Sequence, residues 1–157
     1  MAELRGPDIL VYPPLLAAGA IVVVAALHWL APLHVLPPFG RPLLLIPGLL
    51  VLALSGWLGV AGVLAFRAAG TNVNPHKPAL VLVRAGPYRF TRNPMYLGIV
   101  LLLVGLGLAL SLDWALPMAA VVWALLHFGV VLREEAYLTE LWGTPYTDYL
   151  KDTRRWV

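Results

Sequence analysis

An all-α integral membrane bundle of about four transmembrane helices follows from three features of this chain. Hydrophobic residues make up 61% of it, and charged residues only 12%, about half the charged fraction of a soluble domain. The mean hydropathy is +0.82. Four long stretches, 9–40, 42–66, 94–112 and 114–132, contain no Asp, Glu, Lys or Arg. Each is long enough to cross a bilayer, which takes about 20 residues at about 1.5 Å per residue. A length of 157 residues suits one domain.

The first span is expected over 14–33. It does not read as a cleaved signal, because residues 1–8 are not basic and the apolar run is too long. The second is expected over 43–66, with Pro47 early in the helix, where proline costs little. Its Gly56, Gly59 and Gly62 permit close helix approach. The third and fourth, 94–112 and 114–132, are separated only by Asp113 and form a tight antiparallel hairpin. A loop over 67–93 and an amphipathic helical tail over 133–157 complete the single domain.

Charge orients the bundle. The 67–93 loop carries Arg67, Lys77, Arg84, Arg89 and Arg92 and no acid. The tail mixes Arg133, Lys151, Arg154 and Arg155 with five acids. The opposite connections hold only Arg41 and Asp113. The excess of Lys and Arg puts the loop, the tail and both chain ends in the cytoplasm, with the protein in the inner membrane. Membrane lipids are the expected surroundings, and no nucleic-acid partner is expected.

Chemistry is limited by what the chain lacks. There is no cysteine, so thiol nucleophiles and thiolate metal sites are excluded. His127 precedes Glu134 by seven residues, about 10 Å along a helix, too far to share an ion. No metal site is expected.

The polar residues that remain gather at the cytoplasmic end. Gly86-Pro87 is a turn signal. Asn93-Pro94 reads as a helix start, with Asn93 as N-cap and Pro94 at the first helical position. The next backbone N–H groups, of Met95, Tyr96 and Leu97, then lack intrahelical partners and form an anion site at the positive end of the helix dipole. Arg92 adds a fixed charge beside it. Glu134 and Glu135 follow the fourth span. Arg92 lies 21 residues before Asp113 and Glu134 lies 21 after it. Equal arms of an antiparallel hairpin end at equal depth, so the helix start and the acid pair should face each other at the membrane surface.

An anion site facing two carboxylates suits an amino-acid zwitterion, and S-adenosylmethionine carries one together with a sulfonium. Methyl transfer from it needs positioning rather than a metal or a protein nucleophile. A second class also fits: a non-enzymatic lipid-binding or assembly subunit whose polar cluster anchors it to anionic lipid. A transporter fits less well, because no charged residue lies mid-span.

The stretch 86–98, the Glu134-Glu135 pair and the tail pattern Trp142-Gly143-x-x-Tyr146-x-x-Tyr149 with Arg155-Trp156 resemble the isoprenylcysteine carboxyl methyltransferase and phospholipid methyltransferase family. The resemblance covers roughly 70–157. It implies S-adenosylmethionine as donor, held against strand-like Leu80, Val81, Leu82 and Val83, against Tyr88, against Asn93, Pro94, Met95 and Tyr96, and by Glu134. Asn93 replaces the more frequent histidine, as in the phosphatidylethanolamine N-methyltransferase variant. Prenylcysteine enzymes of the family align an arginine with Val130, so Arg89 or Arg154 is the candidate to hold an acceptor. Catalytic roles fall to Glu135, which would orient the loop or accept a proton, and to Arg89. The implied acceptor is lipophilic and enters from the bilayer, either a phospholipid amine or a prenylcysteine-like group.

Overall fold

A computed structural model describes residues 6–157. The elements in order are α1 (Pro13–Leu30), α2 (Pro42–Ala68), a 3₁₀ turn (Gly86–Arg89), α3 (Pro94–Leu110), α4 (Ala115–Leu126), a π-helical turn (His127–Val131), α5 (Leu132–Trp142) and α6 (Thr144–Asp152). Proline occupies the first helical turn of α1, α2, α3 and α6, where its fixed φ is pre-set and its missing N–H costs nothing. Among the described residues there is no β-strand. The expected strand-like stretch 80–83 is irregular, with Leu80 and Val81 exposed and Val83 buried.

Each of the four predicted spans overlaps an apolar helix. Among the described residues three helices are long enough to cross a membrane and α3 is shorter; α1 ends at Leu30 and α3 at Leu110, and the largest change is in the fourth. The fourth does not stop at 132: α4, the π turn and α5 run on as one 28-residue rod, Ala115–Trp142. At about 42 Å it exceeds the ~30 Å hydrocarbon core of a bilayer. Its apolar part ends at Leu132, and Arg133, Glu134 and Glu135 follow that apolar part. The first ten residues assigned to the tail are therefore an extension of the fourth helix. Large side chains on α1 and α2, such as Leu15 (70% exposed) and Leu43 (78%), face outward, as a lipid-facing surface requires.

α2 and α3 cross closely because glycines line the crossing. A Cβ on Gly48 would fall inside the backbone of Ala109, and one on Gly105 would lie 2.8 Å from Leu52. At Gly98 it would lie 3.1 Å from the Ser55 carbonyl, while Ser55 Oγ donates to the Gly98 carbonyl at 2.8 Å. Of the three glycines singled out in span two, only Gly62 has atoms where a Cβ would stand, those of Met95 and Tyr88, and Gly56 and Gly59 meet nothing. On the far side of α3, Leu103, Val122, Leu126, Val130 and Val131 form the core.

Two sets of contacts fix the ends. Asp113 accepts the Val35 and Leu36 N–H groups at 3.1 and 2.7 Å, and Trp114 Nε1 donates to the Ala31 carbonyl. These tie the α1–α2 connection to the hairpin turn. At the other end the Leu10 N–H donates to the Gly129 carbonyl in the π turn, at 2.9 Å, and Arg133 bonds the Asp8 carbonyl.

Candidate functional site

A cavity of about 830 Å³, its mouth included, opens at the end away from Asp113. Its wall over 79–83 is held by short links: Thr71 Oγ1 accepts the Leu80 N–H, Tyr137 Oη accepts that of Ala79, and Asn72 Nδ2 donates to the Pro78 carbonyl. The next wall is the 3₁₀ turn. Gly86 takes φ +61 to start it, a conformation favourable to glycine, and Pro87 and Tyr88 are then buried. Tyr88 packs on Phe66 at 5.1 Å between ring centroids. α6 closes the remaining side, where Tyr149 donates to the Tyr88 carbonyl at 2.7 Å and Arg84 lies over the Tyr149 ring. Burial pushes the Tyr88 and Tyr146 phenols above their usual range, helped by the neighbouring carboxylates. These groups stay neutral donors.

The charged residues meet as the equal arms of the hairpin require. Arg92 Nη1 lies 3.1 Å from Glu135 Oε1, with both side chains nearly buried. Arg155 grips the same carboxylate with two bonds, Nε to Oε1 at 2.9 Å and Nη2 to Oε2 at 2.8 Å. Tyr96 donates to Glu134 Oε1 at 2.6 Å. Burial raises the Glu134 carboxyl to about 7, with the Tyr96 bond opposing the rise and Glu135 adding to it. Arg92 Nε is buried and has no partner among the described residues, an arrangement proteins rarely leave without a ligand or water.

The helix start differs from expectation in two respects. Asn93 stands at the N-cap position, but its side chain makes no cap bond; Nδ2 instead donates to the Arg155 carbonyl at 2.9 Å. The Leu97 N–H is not free either, because it donates to the Asn93 carbonyl at 2.9 Å. Among the described residues, the open N–H groups at this end reduce to those of Met95 and Tyr96.

Of the candidate residues, Val81, Leu82, Val83, Tyr88, Arg92, Asn93, Met95, Tyr96, Glu134 and Glu135 line the cavity. Leu80, Pro94 and Leu97 are not part of its lining. Arg89 is exposed and also outside it, and Val130 is fully buried. Sequence reasoning did not assign Phe66, Asn72, Tyr137, Tyr146 and Tyr149 to the cavity, although all five line it. The last two carried a signal: a spacing of three residues puts both on one face of α6.

Residues 43–145 match the family model described as phospholipid methyltransferase. Among solved structures, the eukaryotic intramembrane Ras methyltransferase, isoprenylcysteine carboxyl methyltransferase, has a similar fold, with a TM-score of 0.64 at 21% identity. The match covers 92% of this chain and 51% of that one, so the chain spans about half the length of that protein. No curated protein gives a significant match. Family-model coverage of well over half the sequence, together with this shared membrane fold, shows that the chain belongs to the phospholipid methyltransferase family.

Proposed function

We propose that this protein is an S-adenosylmethionine-dependent membrane methyltransferase acting on a lipid or lipid-like acceptor, with its site at the cytoplasmic surface. The observation that carries the reading is Arg92, a lining residue of the cavity that also takes in Glu134, whose buried Nε has no partner among the described residues. A guanidinium with one unused N–H beside an ionisable acid suits a ligand bearing both a carboxylate and an ammonium.

The residues fit the donor in named roles. Arg92 and the open N–H groups of Met95 and Tyr96 would hold its carboxylate. Glu134, steadied by Tyr96, would hold its ammonium. Tyr88, Val83 and Phe66 would pack against the nucleoside and exclude water. When bound, the donor supplies a methyl group on a positively charged sulfur. The chain's task is to align the acceptor with that methyl. Glu135 is saturated by Arg92 and Arg155, which supports an orienting role for it. The lipid-facing exposure of α1 and α2 supports entry of the acceptor from the bilayer.

Calorimetry with S-adenosylhomocysteine on purified protein tests the reading. Wild type is expected to bind, and Glu134→Gln to bind at least about tenfold more weakly, the loss of one charge-assisted contact. Absence of binding to wild type would reject the donor and favour an anchoring polar cluster. Incubation with radiolabelled donor and a total lipid extract would then identify the acceptor.

A further inference from the structure

Arg155 lies in the tail beyond α6, yet its side chain reaches back to the acid pair. Its grip on Glu135 is side-on, through Nε and Nη2, and it engages both carboxylate oxygens. Arg92 receives only a share of Oε1, through Nη1. A carboxylate binds a guanidinium best through two parallel bonds. Glu135 makes that arrangement with Arg155, and it meets Arg92 through Nη1 without engaging Nε. The Nε of Arg92 is buried and has no hydrogen-bond partner among the described residues.

We propose that Arg155 is a positioning residue that keeps the Nε edge of Arg92 available for the carboxylate of the methyl donor, an inference that rests on the donor reading above. Without Arg155, Glu135 has a free second oxygen and can turn to grip Arg92 with both. The orphan Nε is then satisfied inside the protein, and the donor carboxylate must compete with Glu135 for it. The placement of residue 155 itself depends on its backbone. Its carbonyl accepts Asn93 Nδ2 at 2.9 Å and Thr91 Oγ1 at 3.2 Å, and the adjacent Arg154 carbonyl accepts the Arg92 N–H at 2.9 Å. Asn93 thus anchors Arg155 to the start of α3 instead of capping its own helix. A change confined to the Arg155 side chain leaves these anchors in place.

The test compares two ligands, S-adenosylhomocysteine and its decarboxylated analogue, which keeps the ammonium and the nucleoside. Affinities are measured calorimetrically for wild type, Arg155→Gln and Arg155→Lys, with thermal unfolding as a check on folding. Arg155→Gln is expected to weaken S-adenosylhomocysteine about tenfold or more and the decarboxylated analogue by less than about twofold, a non-additivity that isolates the coupling between Arg155 and the ligand carboxylate. Arg155→Lys, which keeps the charge but loses the fork, is expected to fall between; it decides the matter if the Gln variant does not fold. Equal weakening of both ligands overturns the proposal, because that is what a loosened tail would do, and so does unchanged binding of S-adenosylhomocysteine. Failure of wild type to bind S-adenosylhomocysteine at all is a different result: it rejects the donor reading and this inference with it.

Discussion

Tyr96, in the first turn of α3, donates a 2.6 Å hydrogen bond to Glu134 in α5. The bond crosses between the two arms of the hairpin at the floor of the cavity. It favours the ionised carboxylate, the form that would hold an ammonium. Removing the hydroxyl with Tyr96→Phe is expected to weaken S-adenosylhomocysteine by about tenfold at neutral pH, since bonds to charged groups contribute about 1.5–3 kcal/mol. The loss should be larger at pH 6.5 than at pH 8.5, where the carboxylate ionises without help. Calorimetry at the two pH values checks it, and an equal loss at both would assign the phenol a packing role.

Glu134 also sets a pH dependence in the wild type. Burial raises its carboxyl from the ordinary 4.5 to about 7. An acid raised in the folded state keeps its proton between those values while the unfolded chain releases one. Its contribution to stability is therefore fully present below about pH 4.5 and is lost as pH rises towards 7. Ligand affinity should run the other way. Binding of an ammonium needs the carboxylate, so affinity is expected to fall as pH drops below about 7, approaching tenfold per unit. Titrations from pH 5.5 to 8.5 should show this slope, and Glu134→Gln should flatten it.

The hairpin arithmetic that placed Arg92 level with Glu134 was legible because an α-helix advances by a fixed rise, and apolar runs mark where helices stop for charge. Depth was thus readable, but partnership was not. Arg92 pairs with Glu135, and Tyr96 takes Glu134. Which of two adjacent acids faces a partner depends on rotation about the axis, and the π turn at His127–Val131 alters that rotation without leaving a mark in composition. Asn93 shows the same limit. Its residue type and position read as a cap, but the Arg155 carbonyl, 62 residues away, competes for the same side chain. The fourth helix runs past 132 because polar residues with good helix propensity continue it, while hydropathy marks only where the apolar run ends.

Close crossing of α2 and α3 predicts a contrast between two glycines on the same helix. Gly48→Ala would press a methyl into the backbone of Ala109, whereas the same change at Gly56 meets open space. The first is expected to destabilise by about 1–3 kcal/mol, the usual cost of overpacking. The second should be neutral or slightly stabilising, because alanine favours helix over glycine by about 1 kcal/mol. Thermal unfolding in detergent compares them. Equal effects would mean that the crossing is looser than the Ser55–Gly98 bond implies.

The topology predicts where each end of the bundle lies in the membrane. Asp8 sits beside Arg133, and Leu10 bonds Gly129, so the segment before α1 shares the end that carries α6 and the cavity. Asp113 holds Val35 and Leu36 at the other end. The basic 67–93 loop lies on the cavity side, and its excess of Lys and Arg predicts a cytoplasmic location for that side. The chain has no cysteine, so single reporters can be introduced without removing any. Phe39 is 67% exposed on the α1–α2 connection, and Lys151 is exposed on α6. In cells with a permeable outer layer, a membrane-impermeant maleimide is expected to label Phe39→Cys from outside and Lys151→Cys only after the inner membrane is opened. The reverse pattern would put the cavity on the outer face, away from the cytoplasmic supply of donor, and would count against a methyltransferase working from that cavity.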